Sequence, residues 1–202
     1  MAETSKEIIL DKAREIFIQK GFAGARMQEI ADAAGINKAM LHYYYKTKKE
    51  LFLVVFQEVL AGMMSGLSAA LEGEGSVMDK LRKAVTVYIS RLQAHPHVPL
   101  FILHEISQNR LDFLELFKDK FGHFPNFQKF FLQIMQEQAA GTINAIPPMH
   151  LLLNVISMSV FPFLVKPVFC NLMNIPETQY QSLILNDRAE VVIQFLENAL
   201  KP

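Results

Sequence analysis

The 202-residue chain balances 20 Lys and Arg against 20 Asp and Glu, and 51% of its residues are hydrophobic. That balance excludes a polybasic or disordered protein and supplies ample apolar surface for a core. A single cysteine, Cys170, excludes an intrachain disulfide and suits a reducing cytoplasm, while Glu3, Glu7 and Asp11 interrupt the N-terminus where a signal peptide needs an apolar run.

Helical periodicity runs through the chain and no stretch alternates as a strand does, so the fold class expected is all-α. Thr4 and Glu7 form a capping box ahead of an apolar stripe of Ile9, Ala13, Ile16 and Phe17, and Gly21 ends that helix. Residues about 27–46 then read as a short helix, a tight turn and a second short helix from Ala39 to Tyr45. Ile30, Ala31, Ala34 and Ile36 are small or branched, which lets the two helices pack closely, and Gly35 sits where the turn requires positive φ. Leu41 faces inward, and Lys38, Met40, His42 and Tyr43 occupy the other face. This is the layout of a helix-turn-helix, whose second helix enters the DNA major groove. Thr47 caps a long amphipathic helix that begins at Lys48 and runs to about Leu71.

The same run resembles the N-terminal DNA-binding domain of TetR-type (tetracycline-repressor-like) transcriptional regulators. The resemblance rests on Ile30-Ala31, Ala34-Gly35, Asn37-Lys38-Ala39, Leu41, Tyr43-Tyr44-Tyr45, Lys46, Lys48 and Glu50-Leu51-Phe52, in the family's order, over about the first quarter of the chain. Met27 departs from it, standing where a Thr or Ser cap is usual, and so does His42, standing where Tyr is usual. The resemblance implies a DNA-binding domain at residues 1–47 and a helical regulatory and dimerisation domain at 48–202. The helix-turn-helix layout makes Lys38, Ala39, Met40, His42, Tyr43, Tyr44, Thr47 and Lys48 the expected DNA-binding residues, and the resemblance implies backbone contacts from Tyr44 and Lys48. By their chemistry, Lys38 donates to guanine O6/N7, His42 donates or accepts, and Met40 meets a thymine methyl. Tyr43, Tyr44 and Lys48 suit phosphates, and the helix start at Thr47 faces a phosphate as well. Tyr45 belongs to the core. Charge agrees in sign, since residues 1–50 carry nine basic and seven acidic side chains, with Lys46, Lys48 and Lys49 clustered. A modest basic spot on a neutral protein suits a sequence-specific reader.

Further along, Glu72-Gly73-Glu74-Gly75 breaks the long helix and a capping box of Ser76 and Asp79 starts the next, which stops at His95-Pro96-His97. Helical segments are expected near 99–110 and 111–121, then a bend at Gly122 to Pro125 and a helix reaching Ala140. After Pro147-Pro148 comes a helix bent or broken at Pro162 and Pro167, then a short helix after Pro176 and a last one capped by Asp187 and Glu190. The stretch from Met149 to Val165 holds no Asp, Glu, Lys or Arg. Being shorter than the ~20 residues of a membrane span, and interrupted by Asn154 and Pro162, it is expected to be a buried helix. The family resemblance implies a homodimer formed through this segment, about 148–173, and the terminal one from Asp187 to Leu200.

Phe113, Phe117, Phe121, Phe124, Phe127, Phe130 and Phe131 crowd one stretch. Aromatic side chains at helical spacing are first of all core, whereas the resemblance implies a pocket for a small hydrophobic effector; the ligand-binding residues stay unassigned. His95, His97 and the pair His104-Glu105 lack metal-ligand spacing, and no nucleophile pattern or phosphate loop occurs. No catalytic residue, metal or cofactor is therefore expected. The reading is a dimeric regulator, most simply a repressor that binds a near-palindromic DNA operator and is released by an apolar effector. The alternative is a DNA-binding protein of the same fold governed by protein partners.

Overall fold

The computed structural model describes residues 5–96, 98–108 and 125–202, and every regular element among them is helical. In order these are α1 (Ser5–Gly24), α2 (Met27–Ala33), α3 (Lys38–Tyr44), α4 (Lys48–Glu72), α5 (Val77–Ala94) and α6 (Val98–Gln108). After them come α7 (Phe127–Ala139), α8 (Pro148–Leu172), α9 (Glu177–Tyr180), a π-helical turn at Gln181–Leu185, and α10 (Arg188–Leu200). The Thr4 cap, His97, the segment expected at 111–121 and the bend from Gly122 to Phe124 lie outside the described residues. So do Phe113, Phe117, Phe121 and Phe124. The chain divides into two compact units, Met1–Gly62 with Leu100–Gly122 and Met63–Pro99 with His123–Pro202; α4 starts in the first and finishes in the second.

In the first unit the apolar stripe of α1 buries Ile9, Ala13, Ile16 and Phe17 against Ile30 and Ala31 of α2, Leu41 of α3, and Leu51, Phe52 and Val55 of α4. Phe52 takes the edges of two rings, Phe17 at 5.0 Å and Phe22 at 4.9 Å. Gly21 breaks α1 as expected, at φ 66° and ψ 178°. Met27 is the first helical residue of α2; the cap position belongs to Arg26, whose side chain makes no capping hydrogen bond.

The second unit is organised around α5. Its capping box forms as read, with Ser76 Oγ accepting from the Asp79 amide and Asp79 accepting from the Ser76 amide. Glu137 of α7 accepts from the Val77 amide at 2.9 Å, giving the start of α5 a second carboxylate where the helix dipole favours one. Lys80 is buried yet donates to Gln133 Oε1 at 2.6 Å, and Gln133 in turn donates to Glu137 and to the Gly75 carbonyl. Each member of that chain has a partner, which burial of a charge demands.

Helix α8 is not broken where the prolines stand: it runs 25 residues through both Pro162 and Pro167, long and apolar enough to cross a membrane by length and composition, and 28% of its apolar stretch is buried within the chain. Proline at 162 removes the amide that would have bonded the Met158 carbonyl. Arg188 Nε donates to that carbonyl at 2.9 Å, so α10 fills the gap in the ladder, and the Tyr180 hydroxyl donates to the Pro162 carbonyl at 2.9 Å, tying α9 to α8. Burial lowers the Arg188 pKa and raises that of Tyr180. Asp187 precedes α10 without making the side-chain cap expected of it, because its backbone (φ −96°, ψ 11°) lacks the extended geometry of a cap residue.

Candidate nucleic-acid interface

Helix α3 is seven residues long, too short to persist alone. Three local devices hold it. The turn from α2 is a Schellman motif: Gly35, at φ +67°, donates to the Asp32 carbonyl at 3.1 Å and Ile36 donates to that of Ala31 at 3.0 Å. Asn37 caps α3, its Oδ1 accepting from the Met40 amide at 2.7 Å. Leu41 and Tyr45 then anchor it, 0% and 3% exposed.

With that face spent on the core, Lys38, Ala39, Met40, His42 and Tyr43 are left on the outside, Tyr43 being 83% exposed. Tyr44 is half-buried and meets the edge of Tyr43 at 5.6 Å. The outward set is chemically varied within a few residues: an ammonium, a thioether, an imidazole and a phenol. His42 is oriented, because its Nδ1 lies 3.2 Å from the Lys46 carbonyl oxygen. A carbonyl only accepts, so the hydrogen of that contact sits on Nδ1, and the neutral ring keeps the lone pair on Nε2.

Thr47 Oγ1 accepts from the Glu50 amide at 3.1 Å and so caps α4. The Glu50 carboxylate accepts from the Lys46 amide at 3.0 Å, which brings an acid to the helix start where a phosphate was expected. Lys48 does not stand as a free cation: its ammonium donates to the carbonyls of Phe22 at 2.7 Å, Ala25 at 3.0 Å and Ala23 at 3.5 Å, and lies 4.5 Å from the centre of the Phe22 ring. Lys20 of α1 also pairs with Glu29 of α2 across the unit. Of these, the Asn37 cap was legible as a polar residue just ahead of a helix, but the Lys48 acceptors stand more than twenty residues back and no local spacing marks them. Among the described residues no group of His, Cys, Asp and Glu gathers to hold a metal.

Residues 9–55 match the family model described as bacterial regulatory proteins, tetR family. The chain is 33% identical over 105 residues to the HTH-type transcriptional activator FasR of Mycolicibacterium smegmatis, covering 52% of this chain and 43% of that one. It therefore spans less than half the length of that relative. To the probable HTH-type transcriptional regulator YttP of Bacillus subtilis it is 25% identical over 168 residues, covering 81% and 79% of the two chains. The crystal structure of a putative transcriptional regulator from Streptomyces coelicolor matches with a TM-score of 0.70 at 17% identity, over 98% of this chain and 100% of that one, a likeness of fold.

Proposed function

We propose that the chain, whose residues 9–55 match the tetR family of bacterial regulatory proteins, is a DNA-binding transcriptional regulator. In this reading it is a cytoplasmic repressor that holds a near-palindromic operator as a homodimer and is released by a small apolar effector. The observation that carries the DNA-reading part is α3, whose outward side chains can reach base edges while Leu41 and Tyr45 fix it to a packed core. Lys38 reads guanine, Met40 a thymine methyl, and the small Ala39 admits the helix to the groove floor. His42, with its lone pair on Nε2, accepts from the exocyclic amino group of adenine or cytosine. Tyr43, Tyr44 and Thr47 set register on the phosphates.

Support for a second copy comes from the regulatory part, residues 48–202. Its last two long helices expose apolar side chains, Phe161 at 58% and Phe195 at 57% among them, and a partner offering the same face would cover them. Two recognition helices about one turn (~34 Å) apart then give a dimer the discrimination one unit lacks. The effector is supported by the adaptable phenylalanines and methionines beyond residue 100. Helix α4, which runs from the DNA-reading unit into the other, is the element through which its binding acts. An effector that favours one dimer arrangement by a few kcal/mol is enough to release DNA.

The test is selection from randomised duplex DNA at fixed salt, with the wild type and His42→Phe. The expected result is a two-fold symmetric site in which His42→Phe relaxes one position per half-site, by about 1–3 kcal/mol, where adenine or cytosine was preferred. A folded wild type that enriches no sequence would falsify the reading.

A further inference from the structure

Proline at 162 leaves the Met158 carbonyl, in the middle of α8, without its helical donor, and Arg188 Nε, 30 residues further along the chain, fills that place at 2.9 Å. Arg188 is otherwise a costly residue where it stands. It is the first residue of α10, where the helix dipole disfavours a cation, and it is half-buried. No ion pair of the described residues includes it. The Met158 carbonyl is the contact that accounts for it. The same turn of α8 is held a second time, by the Tyr180 hydroxyl on the Pro162 carbonyl.

Asn154, Ser157, Phe161, Val168 and Leu172 stand at helical spacing on one face of α8, and all are exposed. Pro162 is buried and divides that face into two halves. A kink of about 20° at a proline would carry Leu172, roughly 15 Å further along the axis, about 5 Å off the line set by the first half. Two copies that match this face to itself need the line straight.

We infer that Arg188 is a positioning residue for a second copy of the chain: by taking the Met158 carbonyl it holds α8 straight through Pro162, and so joins the two halves of the outward face into one surface that pairs with its own copy. This rests on the homodimer proposed above. Helix α8 by itself does not carry the surface; α8 with α10 docked on it does.

The experiment is sedimentation equilibrium of the full chain over a dilution series, for the wild type, Arg188→Met, Pro162→Ala and the double variant Pro162→Ala/Arg188→Met, with circular dichroism confirming that each is folded. Alanine at 162 restores the amide that the Met158 carbonyl lacks, so Arg188 is left with no carbonyl to serve. The expected result is that Arg188→Met weakens the dimer about tenfold, as for the loss of a hydrogen bond from a charged group. The double variant then dimerises within about twofold of Pro162→Ala, because the two substitutions act on one contact. If Arg188→Met alone does not fold, the two alanine variants carry the comparison by themselves.

A folded Arg188→Met that dimerises as the wild type does overturns the inference, even where its unfolding temperature falls. So does a double variant that stays weaker than Pro162→Ala by the same factor, which assigns Arg188 a direct contact across the interface instead. A wild type that is monomeric throughout the series overturns the homodimer and this role with it, and is recognised before any variant is made.

Discussion

In the unit built on α1, α2, α3 and the start of α4, apolar side chains go inward: Ile9, Ala13, Phe17, Ile30, Ala31, Leu41 and Leu51 are all fully covered. In the other unit, α8 and α10 leave Met149, Leu153, Phe161, Val168, Leu172 and Phe195 more than half exposed. Helices α1 to α3 and the start of α4 complete a core within one chain and turn polar groups such as Lys38 and His42 outward. The second unit has a packed interior around α5 and still carries a surplus of apolar surface. Apolar surface of that kind suits the covering partner proposed above. On the proposed function, the difference separates two physical tasks: directional contacts to a charged polymer on one side, non-directional burial on the other.

The largest effect should come from spoiling the surplus. Phe161→Glu combined with Phe195→Glu places two charges on the exposed face, where large aromatic anchors contribute about 2 kcal/mol or more each to an interface. Sedimentation velocity should find a monomer with unchanged helix content, and operator binding should fall by roughly several hundredfold, since ~1.4 kcal/mol is tenfold. A double variant that stays dimeric would break the comparison, because the surplus would then serve some other partner.

A smaller effect sharpens the other side. Asn37→Ala removes the cap of α3, a contact of 2.7 Å, from a helix of seven residues. Such a loss costs about 1 kcal/mol. It should lower the unfolding midpoint in urea and weaken specific binding, while leaving the dimer intact in the same sedimentation experiment. Dissociation on this substitution would mean that the two tasks are not separable.

What could be read in the sequence divides along the same line. The turn at Gly35, the inward Leu41 and Tyr45, the outward Lys38 to Tyr43 and the capping box at Ser76 all depend on residues within one or two helical turns, so spacing alone carries them. Lys48 shows the limit of spacing: its carbonyl acceptors at the junction of α1 and α2 stand more than twenty residues back in the chain, so no local pattern marks them. Pro162 shows another, since a proline predicts a broken helix unless something distant takes the orphaned carbonyl, as Arg188 does. The exposure of α8 was illegible for a third reason. Hydrophobic composition is the same whether a residue is covered by its own chain or by a partner, so how much of α8 is covered within one chain could not be read, whereas the helix boundaries, 148–173 expected and Pro148–Leu172 found, came out well.

The smallest effect compares the caps of the two units. The α3 cap is the neutral Asn37, indifferent to pH, whereas α5 is capped by Ser76 with the carboxylate of Asp79. The Ser76 hydroxyl, then the Ser76 amide, hold the Asp79 pKa below its ordinary 3.8, with a lesser contribution from Lys83 and Arg82. A carboxylate whose folded pKa is depressed adds stability that is fully present above the unfolded value and is lost as pH falls through the folded one. Asp79→Asn keeps a carbonyl oxygen for the Ser76 amide and removes only the charge. Its unfolding midpoint should therefore lie slightly below that of the wild type at neutral pH, slightly because Asp79 is fully exposed and solvent screens it. The gap should hold down to pH 3.8 and close in stronger acid. A gap that persists unchanged into acid would trace the stabilisation to hydrogen-bond geometry instead of charge, and the supposed contrast in pH sensitivity between the two caps would vanish.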